Sequence, residues 1–287
     1  MACVDKNPGI LDLIAIKLKL LNNLSLNQLN GLDILLSIYN KSSQKYSFRV
    51  LFDRIIELAK KTDDPIKSVI YLTEAFKVVL DLMPQLKQLM TPKALRTISQ
   101  MLLHRGPTDK FSATLGVFHC LKTILDDLAR FGLEGKRFAI MVEVSDFADS
   151  RFVDILFYAL EPDEIPSKIR SIVPEKVIRS VEVKWYTAAS DVDAQHLQLL
   201  IDAERSVRRG RRMEDITWMV PKDYPQSKVD DLISLVDRNL EHFLRDSIPE
   251  YSSTEIASIT EEVAINLYSQ VFQKADSLRF FIDGIVQ

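Results

Sequence analysis

Only 8 of the 287 residues are glycine. Glycine reaches the left-handed backbone conformations of tight β-turns at no steric cost. A chain this poor in it is expected to make few hairpins and to fill its length with helices. The same scarcity leaves no Gly-rich loop whose backbone N–H groups could cradle a phosphate.

Helix punctuation is correspondingly dense. Asn7-Pro8 precedes an apolar run to Leu21, and Ser25 is placed as the N-cap of a helix to about Tyr39. A third helix is expected through Phe48, Leu51, Phe52, Ile55, Ile56 and Leu58, which step along one buried stripe. Asp64-Pro65 and Thr91-Pro92 each set a capping side chain before a proline at the first helical position. Pro84 is expected to break the first of these helices, and Gly106-Pro107 to stop the second. Another helix is expected from Thr108 to Phe131, closed by Gly132.

The texture then changes. Arg137 to Val144 is a short apolar run of the kind a buried strand requires. Ser180 to Tyr186 alternates, with Val181, Val183 and Trp185 on one face and Glu182, Lys184 and Tyr186 on the other. Between them, Arg151–Leu160 and Ile165–Val173 read as short helices fenced by Pro162, Pro166 and Pro174. Ser190 caps a helix that ends near Gly210, and a loop reaches Gln226. Ser227 opens a helix to about Arg245. Ser252 and Glu255 form a capping box that launches a last helix towards Ile282. The expected fold is mainly α and multi-helix, with a small two-stranded β element near the middle. Its expected parts are a basic helical lobe over residues 1–131, a small α/β connection over 132–190 and an acidic helical lobe over 191–287.

Charge follows the same division. Residues 1–131 hold 18 Lys and Arg against 12 Asp and Glu, and residues 132–287 hold 19 against 28. The sharpest local departure is the run Arg205, Arg208, Arg209, Arg211 and Arg212, five arginines in eight positions. Guanidinium groups at that density repel one another and require an anionic partner. The acidic rear of the chain could supply it, within one molecule or between copies. RNA or single-stranded nucleic acid could supply it too, with Trp218 as a stacking platform and a basic groove between the lobes. The last helix carries a second association signal, an apolar seam that includes Leu267, Val271, Leu278, Phe281 and Ile282.

Signals for chemistry are sparse. Glu143, Asp146 and Asp149 stand at the end of the first expected strand, where carboxylates can hold magnesium, but Asp146 also suits a helix cap. The histidines His104, His119, His196 and His242 are scattered, and Cys3 and Cys120 make no disulfide framework, which fits a reducing compartment. The apolar stretch from Ile10 to Leu21 is too short, and with Asp12, Lys17 and Lys19 too charged, to span a bilayer. The chain therefore reads as a cytoplasmic, non-enzymatic assembly protein that forms homo-oligomers or binds another protein, with nucleic-acid binding as the alternative. The arginine run also suits nuclear targeting, and no cofactor, metal or catalytic residue is assigned.

Overall fold

The computed structural model describes residues 24–40, 55–57, 59, 65–103, 108–145, 152–184, 192–208, 215–222, 224–267 and 271–275. Capping side chains stand at three of the helix starts, those of Ser25, Thr91 and Ser252, whereas the helix from Gln226 follows Pro225 without one. Ser25 Oγ accepts the Gln28 N–H at 3.2 Å ahead of α1 (Leu26–Asn40), and Pro65 opens α2 (Pro65–Leu89). Thr91 Oγ1 accepts the Ala94 N–H at 3.2 Å ahead of α3 (Pro92–Leu103). α2 continues through Pro84 instead of breaking there, because Val79, Leu80, Met83 and Leu86 keep that stretch packed in the core. Proline frees the carbonyl four residues back, that of Leu80, and α1 uses the gap. A Cβ on Gly31 would lie 1.9 Å from that oxygen, so only glycine permits the approach of α1 to α2. α4 (Thr108–Asp126) stops short of Phe131, and Gly132 and Gly135, with φ of 64° and 69°, turn the chain into the sheet.

The expected two-stranded element is instead a five-stranded mixed sheet. β1 (Phe138–Ser145), β2 (Phe152–Ala159), β3 (Val177–Val183), β4 (Ile216–Pro221) and β5 (Phe272–Ala275) lie side by side in chain order. The first three pair antiparallel and the last three parallel. Arg151–Leu160, expected as a helix, holds β2. The expected loop before Gln226 holds β4, and the last helix gives way to β5. Ile165–Val173 contains only a 3₁₀ turn at Pro166–Lys168, with a second turn at Pro174–Lys176. The physical reason is shared. β2 and β4 bury residues on both faces, so their apolar positions do not alternate as those of a half-exposed strand do.

The sheet is covered on both sides. Ile140, Val142, Ile155, Phe157, Val181, Met219 and Ala275 face a core shared with α1 to α4. On the other face, α5 (Val192–Arg208), α6 (Gln226–Ser247) and α7 (Ser253–Asn266) bury Trp218 and Val271, with Phe272 packed alongside. The connections β3–α5–β4 and β4–α6–α7–β5 step the same way across the sheet, and crossovers of one hand put their helices on one face. Met141, Leu156 and Tyr158 fill the rest of that face beneath Ile169 and Ile172 of the β2–β3 connection. No helix among the described residues is long and apolar enough to cross a membrane.

One buried titratable group couples this packing to pH. His119 of α4 is 1% exposed, and its Nε2 lies 3.3 Å from the Ala75 carbonyl oxygen. Burial lowers its pKa from 6.5 to about 4. Between those values the unfolded chain takes up a proton that the folded chain excludes. Stability present above pH 6.5 is therefore lost as the pH falls towards 4, by at most about 3 kcal/mol. Urea midpoints measured across that interval should fall more steeply for the wild type than for His119→Gln, and parallel profiles would contradict the assignment.

Candidate functional site

β3 exchanges neighbours partway along its length. Its ladder with β2 ends at the Ile155–Val181 pair, while its ladder with β4 continues to Val183–Met219. Lys184 N then donates to the Met219 carbonyl at 2.8 Å. The Val183 N–H consequently faces a gap where β2 has parted from β3, and the Asp154 carboxylate closes it at 2.7 Å. A backbone donor left unmet in a half-buried cleft would cost about 1–3 kcal/mol, so this bond fixes the Asp154 side chain in place.

That position is electrostatically uncomfortable. Burial first, and then the charge of Glu182 on β3, raise the Asp154 pKa above the ordinary carboxylate range; the Val183 N–H and the Lys184 ammonium oppose the shift, and Glu143 on β1 adds to it. Glu143 is itself strained. Its φ of 48° makes it the single non-glycine residue in the left-handed region among the described residues, and the β1–β2 pairs run on either side of it. Such a conformation costs about 1–2 kcal/mol in an L-residue. Strain of this kind tends to collect at functional sites.

The neighbouring charges are tightly held. Glu182 and Lys184 side chains are 12% and 8% exposed, with Nζ 3.2 Å from Oε2. Gln198 of α5 joins both, its Oε1 accepting from Lys184 Nζ at 3.0 Å and its Nε2 donating to Glu182 Oε2 at 3.1 Å. Lys184 Nζ also sits 4.5 Å from the ring centroid of Trp218, whose Nε1 donates to Asp202 Oδ2 at 3.3 Å. Cross-strand register thus lines up Glu182, Trp218 and Phe272, with Asp154 and Glu143 on the β2 side.

Chemically, the group offers hard oxygen donors beside a fixed ammonium. No three His, Cys, Asp or Glu side chains close into a ready-made metal cage among the described residues. Asp154 and Glu182 offer two carboxylates, and magnesium is commonly held by one or two carboxylates while water and substrate phosphate complete its shell. Asp154 and Glu143 are half-buried, so solvent reaches this end of the row.

Of the residues singled out from the sequence, Glu143 and Trp218 belong to this row, and no other described one joins it. Arg205 is half-buried on α5. Arg208 donates to the carboxylate of Glu204 and to the Ser247 carbonyl, and lies 3.1 Å from Glu250 Oε1; Glu204 above all keeps it firmly charged. Arg209, Arg211 and Arg212 lie outside the described residues, as do Asp146, Asp149, Leu278, Phe281 and Ile282. Trp218 is fully buried, with Lys184 over its ring, and Leu267 and Val271 are buried in the core beneath α5 to α7. Cys120 is buried in α4, where burial pushes its thiol pKa up and keeps it inert.

Sequence reasoning missed Asp154 and Gln198, and placed Glu182 and Lys184 together on one strand face without giving them a role. One signal was available. Asp154 is the lone charge in the apolar run Phe152 to Leu160, and a charge inside a buried strand is retained only with a partner or a task. Comparison with protein families, curated proteins and solved structures finds no match to this chain.

The crowding of carboxylates makes a measurable claim on stability. Asp154→Asn keeps an acceptor for the Val183 N–H and removes one of the repelling charges. The variant should be as stable as the wild type at neutral pH, or more stable by about 1 kcal/mol. A loss of more than about 2 kcal/mol in urea denaturation would show that the charge itself is needed for folding.

Proposed function

We propose that the chain is a divalent-metal-dependent phosphodiester hydrolase acting on nucleic acid. The observation that carries this reading is the convergence of Asp154, Glu182 and Lys184 where β2 and β3 part. Two carboxylates from adjacent strands are an oxygen site for magnesium or manganese, and a lysine held 3.2 Å from one of them brings positive charge to the same point. A phosphodiester is the substrate such a site suits, because it shields its phosphorus with negative oxygens that a metal and an ammonium together can neutralise. The excess of basic residues in the first 131 favours a polyanion over a small neutral ester.

Asp154 and Glu182 would hold the ion, which would polarise a phosphate oxygen and ease deprotonation of a bound water. The water oxygen bonds to phosphorus, the bond from phosphorus to the leaving ester oxygen breaks, and that oxygen takes up a proton while solvent receives the one lost by the water. Lys184, held by Glu182, Gln198 and the Trp218 ring, would add positive charge beneath the phosphate without contacting it. Gln198 positions Lys184 and Glu182 relative to each other.

Single- and double-stranded DNA and RNA incubated with the protein and magnesium or manganese should be cut, and chelation should stop the reaction. Asp154→Asn and Glu182→Gln should each lower the rate by about 100-fold or more. Thermal melts of the same preparations separate loss of chemistry from loss of fold. Absence of cleavage on every substrate with either metal, or full activity in folded variants, would overturn the proposal.

A second reading has one observation in its favour. Arg208 is met by Glu204 and Glu250, so the chain's own carboxylates reach the arginine run. An assembly protein whose copies join basic front to acidic rear would extend the same chemistry between molecules. Light scattering should then show oligomers that dissociate as salt rises. A monomer at every concentration and low salt would dismiss it.

A further inference from the structure

The β1 edge of the sheet borders a cavity of about 550 Å³ that Glu143 helps to line. Glu143 is also close enough to Asp154 to raise its pKa, so the cavity adjoins the carboxylate row. Its lining is of two kinds. Met141 and Val144 of β1 and Ile169 and Ile172 of the β2–β3 connection, members of one apolar cluster, give it an apolar lining. Lys93, in the first turn of α3, and Arg170, between those isoleucines, line it too. Both cations are exposed, and among the described residues neither has a hydrogen-bond or ion-pair partner.

This combination selects a ligand chemistry. Two cations without ion-pair partners beside an apolar lining suit a ligand with an anionic head and a flat, weakly polar body. A phosphate alone would leave that lining uncovered, and a hydrocarbon would leave the cations without a counterion. The volume lies within the about 300–1,000 Å³ of small-molecule sites. The start of α3 adds to the anionic preference, since the positive end of its dipole borders the cavity beside Lys93.

We propose that this cavity is a nucleotide subsite: a base lies against the lining formed by Val144, Ile169 and Ile172, and its 5′-phosphate sits by Lys93 and Arg170. The inference rests on the hydrolase reading and deepens it, because a nucleotide seated here would belong to the strand whose neighbouring phosphodiester lies over Asp154 and Glu182. The subsite would then set which nucleotide flanks the cut and hold the strand in register.

Calorimetric titration of the full chain with adenosine 5′-monophosphate, in the presence of chelator, tests the cavity without calling on the metal site. Adenosine 5′-monophosphate should bind at least about tenfold more tightly than either adenosine or inorganic phosphate. Lys93→Glu and Arg170→Glu, both on exposed side chains, should each weaken it by about tenfold or more while leaving the thermal melt unchanged. No binding, equal binding of inorganic phosphate, or indifference to both substitutions would overturn the proposal. The two readings fail separately. If the protein cleaves nucleic acid but shows none of this binding, the subsite is wrong and the hydrolase stands. If the nucleotide binds through Lys93 and Arg170 and nothing is ever cleaved, the subsite stands and the hydrolase falls.

Discussion

The parting of β2 from β3 is the constraint on which the rest of the second face depends. β3 leaves β2 after the Ile155–Val181 pair while it follows β4 to the Val183–Met219 pair, so the sheet opens beyond Val181. An opening inside a sheet exposes backbone donors, and this one is met by a side chain, Asp154. Meeting it with a carboxylate brings a second negative charge beside Glu182, which in turn needs Lys184 and Gln198. A serine or asparagine could have satisfied the Val183 N–H without that repulsion.

The arrangement along this row is costly to the fold. Glu143 holds a backbone conformation that an ordinary side chain avoids, and burial together with Glu182 raises the Asp154 pKa, so its charge is disfavoured. Neither is needed for the hydrophobic core, which is supplied on one face by α1 to α4 and on the other by α5 to α7. The sheet between those two cores is stiff enough to hold its charged end in an unfavourable arrangement. α5 has the central supporting role, because it provides both Gln198 against the charges and Asp202 against the Trp218 indole.

Helix starts were legible because their causes are local. Ser25, Thr91 and Ser252 each bond a backbone N–H three residues on, and such a bond needs no distant partner. The strands were not, because their causes lie far along the chain. β4 acquires its role only when β3 and β5 arrive on either side, and burial on both faces removes the alternation that marks a strand. Scarce glycine misled for a physical reason. The parallel strands are joined through helices, and β2 reaches β3 through 3₁₀ turns begun by Pro166 and Pro174, so none of these connections needs a two-residue hairpin. The site suffered most. Glu182 and Lys184 sit on what reads as the wet face of β3, and only the packing of α5 over that face turns two solvated charges into a buried pair.

Metal binding by the β2–β3 opening is the most direct test. Manganese titrated calorimetrically into the wild-type protein and into Asp154→Asn, with both shown to be folded, asks whether the row is a cation site at all. Saturable binding to the wild type that is lost or weakened by about tenfold or more in the variant is the expected result. Absence of saturable binding, or identical binding by the two proteins, would mean that the carboxylates at the opening serve the fold and not an ion.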